Sequence, residues 1–421
     1  MGEFIKIDFA NDQLSFYWQI INMSTLKKIN PSKRTEHIAY AIRDIILVAD
    51  KRKSSGGDLL YLNIGDPVLF DFHTPRHLID ASYKAMLDDY TGYSASDGVP
   101  EAIEAVRKEA VKSGMEPYDI LITTGASEAI DFALSALVNR GENVLVPSPG
   151  YPLYNALLSR LIGEARPYLL DEDNAWQPDI DHIEKQIDEN TRAIVIINPN
   201  NPTGAVYSED TLRKVVELAR RYNLVIFSDE IYDKLILNGQ RHISTASLDE
   251  ELPIVTFNGL SKCYLAPGFR IGWCLVSGAK ELVEDYTEAM KKLARARLCA
   301  SHPKQFAIAS ALNGDHIHIK ETTEKLIRRR DLTVERLNAI PGISCQRPDG
   351  AFYAFPRIEE DVDDKEFVKG LIRETGVVVV HGSGFGSMPE TPHFRVVFLP
   401  PEAILNEAYD RLEGYMRRHF S

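Results

Sequence analysis

Paired cysteines are missing from this chain. Its four cysteines, Cys263, Cys274, Cys299 and Cys345, show no CxxC spacing, so neither a disulfide framework nor a zinc site is expected, and a reducing, cytoplasmic setting fits. A basic excess is missing too. The 48 Lys and Arg stand against 61 Asp and Glu, a formal charge of −13, whereas nucleic-acid binding needs concentrated positive surface. No apolar run approaches the length of a membrane span. The early stretch FYWQIINM follows Asp8, Asp12 and Gln13 without a basic leader or a small-residue cleavage site. MGEFIK places Lys6 where N-myristoylation wants Ser or Thr, so neither a signal peptide nor a lipid anchor is expected. Internal repeats and low-complexity tracts are absent as well.

What is present is the composition of an ordinary soluble globular protein, 44% apolar and 26% charged, over 421 positions. That length exceeds what one core usually serves, so two domains are expected. Between about 119 and 276, apolar runs rich in β-branched residues alternate with helical stretches: DILITT (119–124), NVLVP (143–147), AIVIIN (193–198), LVIFSD (224–229), IVTFN (254–258) and IGWCLVS (271–277). Continuous runs without polar alternation suit a sheet covered on both faces. SEAIDFALSALVN (127–139) and SEDTLRKVVELARRYN (208–223) read as helices between the runs, each opening with a serine able to cap free N–H groups. The fold class is therefore α/β, a mostly parallel central sheet flanked by helices and joined by right-handed crossovers. Residues 1–75 and 310–421 are less regular; they are expected to build a smaller α/β domain from both chain ends, beside a large domain at 76–309. Residues 1–22 read as a poorly ordered extension.

Ligands of open parallel sheets collect outside the carboxyl ends of the strands. Five such ends are loaded here: TTGAS (123–127), PSPGYPLY (147–154), NPNNPTG (198–204), SDEIY (228–232) and GLSK (259–262). Singly, each has a plain alternative. TTGAS leads into a helix whose free N–H groups form an anion site, or is an ordinary cap. NPNNPTG presents Asn201 on a rigid turn, or is only a turn. Asp229 ends an apolar strand, where a carboxylate implies a nearby cation; otherwise it caps a helix, with Glu230 and Tyr232 at the surface. Lys262, followed by APGFR with its Arg270, is in isolation more simply an exposed lysine. Together these pieces supply a phosphate pocket, a carboxylate for a protonated heterocycle, an amine for a carbonyl and an extra arginine. That inventory is what pyridoxal phosphate requires.

The ordered motifs, continuing to S-K-x-x-x-x-P-G-x-R and a late F-R-V, resemble the class I/II aminotransferases of fold type I from about residue 30 onward. Within that family the chain most resembles the alanine (glutamate–pyruvate) branch, through LNIGDP (62–67), INPNNPTGAVYSED (197–210), DEIYDKL (229–235), FNGLSK (257–262) and RARLCASHPKQFAIASAL (295–312). The resemblance implies pyridoxal 5′-phosphate held covalently by Lys262, whose amine, once released and neutral, moves a proton from the substrate Cα. It implies Asp229 on the ring nitrogen; two unit charges at about 4 Å are worth about 4 kcal/mol at an effective dielectric near 20. Tyr232, with Asn201 beside it, should bond the phenolic oxygen, and Tyr151 should stack on the ring. The phosphate should meet the Ala126 and Ser127 amides, the Ser127 hydroxyl, Arg270 and, from the neighbouring subunit of a homodimer, Tyr93. Gly259 stands three before the lysine where aspartate enzymes of the family carry serine, which makes Ser261 the substitute candidate.

Arg395 should clamp the substrate α-carboxylate in a bidentate pair, assisted by Asn201 and the Gly65 backbone. Tyr40 and Arg43, in AYAIRD (39–44), are the candidates that shape the side-chain pocket, Arg43 reading equally well as an exposed helix residue. No metal is expected. The implied activity is amino transfer between alanine and 2-oxoglutarate, giving pyruvate and glutamate by a ping-pong route. An aspartate, branched-chain or aromatic donor, a lyase of the same fold, and a non-catalytic regulator stay open, the last opposed by the acidic charge and the short N-terminal extension.

Overall fold

The structure, a computed structural model, describes residues 28–35, 38, 42–386 and 391–420, with backbone alone at 42–44. Residues 1–22 and Tyr40 lie outside the described residues.

All six apolar runs are strands of one eight-stranded sheet. In chain order these are β1 (Pro117–Thr123), β2 (Asn143–Ser148), β3 (Glu164–Asp171), β4 (Gln177–Pro178), β5 (Thr191–Ile197), β6 (Val225–Asp229), β7 (Ile254–Gly259) and β8 (Gly272–Ser277). Their spatial order is β1-β8-β7-β6-β5-β2-β3-β4. The central pairings β7–β6, β6–β5, β5–β2 and β2–β3 are parallel. Two strands run against this direction. β8 is antiparallel to both β1 and β7, because the segment joining it to β7 holds only a 3-10 turn at Pro267–Phe269 and no crossover helix. The two-residue β4 is antiparallel to β3 at the edge.

Successive residues of one strand enter opposite cores, as covered strands require. Ile194 and Ile196 pack into the same cluster as Ile120 and Ile226, whereas Val195 and Ile197 join Leu121 and Phe227 on the other face. The helix Glu209–Tyr222 closes over the sheet with Leu212, Val215, Val216 and Ala219 buried at helical spacing. Its N-terminus is capped as expected, the Ser208 hydroxyl accepting from the Thr211 N–H at 3.1 Å. The other capping expectation needs correction. In the helix Ala126–Leu137 the cap position belongs to Gly125, at φ 80°, and Ser127 already lies inside the first turn, where its hydroxyl accepts from Arg270 instead.

The chain ends meet. Leu60–Tyr61 pairs in parallel with Val377–Val378, and Arg52 donates to the Arg373 carbonyl at 2.6 Å. Phe394–Val397 forms the centre of a three-stranded antiparallel sheet between Tyr353–Ala354 and Val380–His381. Helices Ile317–Asn338 and Asp364–Thr375 each pack against Glu402–His419. No helix among the described residues is long and apolar enough to cross a membrane.

Candidate active site

A cavity of about 410 Å³ opens at the carboxyl ends of β5 and β6 and reaches Gly65 and Arg395 from the chain ends. Ala126, Ser127, Tyr151, Asn201, Asp229, Tyr232, Ser261, Lys262 and Arg270 all line it. Tyr93 does not; it stands 82% exposed elsewhere on the surface. Arg43 belongs to the first turn of the helix Ile42–Ser54, whose Ile46 reaches the cavity, and its side chain lies outside the described residues.

One end of the cavity is built for an anion. The helix Ala126–Leu137 begins there, so its first N–H groups have no partner within the helix. Arg270, held in the left-handed region at φ 52°, donates to the Ser127 hydroxyl and to the Pro267 carbonyl, each at 3.2 Å. Two glycines make this approach possible. A side chain on Gly125 would strike the Arg270 guanidinium, and one on Gly272 would strike the Ala126 nitrogen. The departure at Gly259 has a similar cause: it pairs with Gly272 across β7 and β8, and a Cβ there would sit 2.8 Å from the Ile271 carbonyl oxygen. Ser261, two residues on, lines the cavity together with Ser127.

At the centre, Asp229 ends β6 and is only 4% exposed. Its carboxylate accepts two long hydrogen bonds, from the Tyr154 hydroxyl and the Ile231 N–H, both at 3.3 Å. Among the described residues no cation lies within ion-pair range of it, and burial pushes the carboxyl up to about 7. A group so placed is costly unless a cationic partner joins it. Its neighbour Glu230 is no surface residue. It is buried and bonded by the Ser228 and Ser244 hydroxyls and the Thr245 N–H, with His242 3.1 Å away.

Lys262 donates to the Gly65 carbonyl at 2.7 Å. Arg395, on the strand Phe394–Val397, donates to the Asn201 amide oxygen at 3.0 Å and the Asn63 carbonyl at 2.8 Å. Its guanidinium lies 4.7 Å from the ring centres of both Tyr353 and Phe385. The Tyr232 hydroxyl stands 2.9 Å from that of Tyr353. Tyr154, Tyr353, Asn63 and Phe385 escaped sequence reasoning. Tyr154 and Asn63 sit inside the motifs PSPGYPLY and LNIGDP, whereas Tyr353 and Phe385 carry no local signal. Among the described residues no cluster of His, Cys, Asp and Glu could hold a metal ion.

An anion cradle, a lysine amine, an unpaired carboxyl and a second guanidinium thus share one chamber, a set suited to a phosphorylated cofactor carrying a cationic ring and to a substrate carboxylate. Comparison with known proteins agrees. The family described as aminotransferase class I and II matches residues 57–412. The chain is 41% identical to glutamate-pyruvate aminotransferase AlaA of Escherichia coli K12, over 89% of this chain and 95% of that protein. It is 39% identical to alanine aminotransferase of Mycobacterium tuberculosis H37Rv, over 97% of each. Among solved structures, alanine aminotransferase from Pyrococcus furiosus superposes with a TM-score of 0.90 at 42% identity, covering 93% of this chain and 100% of that one. From the fold, the chamber and these matches together, the chain belongs to the class I and II aminotransferases.

Proposed function

We propose that the protein transfers an amino group between alanine and 2-oxoglutarate, forming pyruvate and glutamate, with pyridoxal 5′-phosphate as its cofactor. The observation that carries this reading is Asp229, a buried carboxyl whose burial cost is only partly offset by the Lys262 charge and which has no ion-pair partner among the described residues, in one cavity with Lys262 and Arg270. A ring nitrogen that holds a proton is the partner such a group needs. When bound, the cofactor supplies an electron-withdrawing ring that lets the substrate Cα–H ionise.

The chain's own residues do the rest. Lys262 binds the cofactor through its amine and, when released, takes the proton from Cα. Asp229 keeps the ring nitrogen protonated, Tyr232 and Asn201 serve the phenolic oxygen, and Tyr151 covers the ring. The first amides of the helix at Ala126 and Ser127, the Ser127 and Ser261 hydroxyls and Arg270 hold the phosphate. Arg395 pairs with the α-carboxylate, already oriented by Asn201 and the Asn63 carbonyl, and the Gly65 backbone assists.

Alanine's small apolar side chain suits a cavity lined in part by Ile46 and Ile64. Glutamate in the second half-reaction needs one more cation, and Arg43, in the first turn of the helix that carries Ile46, is our candidate, with Tyr40 nearby in sequence. A homodimer is supported by an exposed stripe at Ile79, Tyr83 and Met86 on the helix Arg76–Leu87, continued by Tyr90 and Tyr93. Tyr93 would then serve the neighbouring subunit's phosphate. We also place a smaller domain at the two chain ends, with its second boundary near Gly314, since the helix His302–Asn313 packs on Arg76–Leu87. The four free cysteines suit a reducing cytoplasm.

The test is a donor panel. Purified protein with pyridoxal phosphate and 2-oxoglutarate should form pyruvate from alanine faster than it deaminates aspartate, branched-chain or aromatic amino acids. No pyruvate would overturn the substrate reading. Borohydride should fix the cofactor to the wild type and not to Lys262→Ala; fixation to the variant would overturn the lysine's role.

A further inference from the structure

Tyr353 has none of the roles above, yet it meets the groups that carry three of them. It is 2% exposed. Its hydroxyl lies 2.9 Å from that of Tyr232, the two rings standing at 87°. Its ring faces the Arg395 guanidinium at 4.7 Å. Its hydroxyl also fills the space that any side chain on Gly65 would need, and the Gly65 carbonyl is the acceptor of the Lys262 amine. We infer that Tyr353 is a positioning residue joining the two halves of the site: its hydroxyl donates to the Tyr232 oxygen, leaving the Tyr232 proton for the cofactor's phenolic oxygen, while its ring holds Arg395 for the substrate carboxylate. The inference rests on the pyridoxal-phosphate reading.

The direction of the hydrogen bond follows from proton counting. Burial raises the Tyr232 phenol well above its usual range, so it keeps its proton. Two hydroxyls in contact share one proton between them, so one must donate. If Tyr232 is to donate to the cofactor, it has only lone pairs left for Tyr353. A phenol that accepts one bond becomes a better donor in the next, by about 10–30%. The ring contributes separately, because a desolvated guanidinium over an aromatic face is held electrostatically.

Two variants separate the halves. Tyr353→Phe removes one oxygen and keeps the ring; Tyr353→Leu removes both contributions. The cofactor-loaded wild type should show a pH-dependent visible absorption whose midpoint reports how well the phenolic oxygen's negative charge is stabilised. In both variants that midpoint should rise, by about 0.2–0.5 pH units, since a weakened Tyr232 stabilises the deprotonated form less. Tyr353→Phe should lower kcat and hold KM for alanine within about twofold, whereas Tyr353→Leu should raise KM about fivefold or more. An unshifted midpoint in Tyr353→Phe, or equal KM increases in both variants, would overturn the coupling. A wild type without any cofactor absorption would overturn the parent reading as well. Should Tyr353→Leu fail to fold, the single-atom deletion in Tyr353→Phe still decides the hydroxyl's part.

Discussion

Replacing Asp229 by asparagine separates what the buried carboxyl costs the cofactor-free protein from what it gives the loaded one. Burial raises this carboxyl from 3.8 to about 7, opposed by the Ile231 N–H and the Tyr154 hydroxyl. Below pH 3.8 the group is protonated in folded and unfolded chains alike and costs nothing. Between 3.8 and about 7 only the folded state keeps the proton, so stability falls as pH rises, by up to about 1.36 kcal/mol per unit. Above 7 both states are ionised and the whole penalty stands, about 4 kcal/mol. Asparagine keeps the shape and an acceptor for the Ile231 N–H while removing the charge. Without cofactor, Asp229→Asn should therefore melt about 5 °C above the wild type at pH 8, with the gap less than half as large at pH 5. With pyridoxal phosphate the order should reverse at pH 8, since only the carboxylate gains the ring cation. Scanning calorimetry at both pH values, with and without cofactor, checks this. A gap in the cofactor-free proteins that is the same at pH 5 and pH 8 would refute the reasoning, because Asp229 would then not be the group that titrates high.

Three further outcomes are expected. Arg395→Leu should lower kcat/KM for alanine by about 10²–10⁴, the loss of two charge-assisted hydrogen bonds at about 1.5–3 kcal/mol each, with cofactor absorption retained. Ser127→Ala removes the oxygen that orients Arg270 and should weaken cofactor binding about tenfold in equilibrium dialysis, with KM for alanine unchanged once the enzyme is saturated with cofactor. Ile46→Ala combined with Ile64→Ala enlarges the cavity both residues line and should raise kcat/KM for leucine relative to alanine by about tenfold in a competition assay; a fixed ratio would show that neither isoleucine sets donor size.

How far the sequence foretells these features depends on whether the signal is local. The six apolar runs are legible because their strands are covered on both faces, so nothing polar interrupts them. β3 escaped notice because it lies next to the sheet edge, where Glu164, Arg166 and Asp171 can stay near water. The reversed direction of β8 is invisible in IGWCLVS itself; it lies in the shortness of the segment before it. Ser208 and Ser127 look alike in sequence, yet one caps and the other turns to Arg270, a partner 143 positions away. Asp229 is legible because a carboxylate ending an apolar strand demands a reason. Tyr353 is not, since its contact with Tyr232 spans 121 positions and arises only when the chain ends close on the sheet.

The pairing of Leu60–Tyr61 with Val377–Val378 sets a timetable for synthesis. At about 5–20 residues per second, the first strand waits roughly 15 s to a minute on the ribosome for its partner. Every group of the same chain proposed to hold the cofactor precedes Ser277, where the eight-stranded sheet is complete, whereas Tyr353 and Arg395 emerge much later. The groups proposed to hold the cofactor are thus synthesised before Tyr353 and Arg395, the groups proposed to position and recognise the substrate.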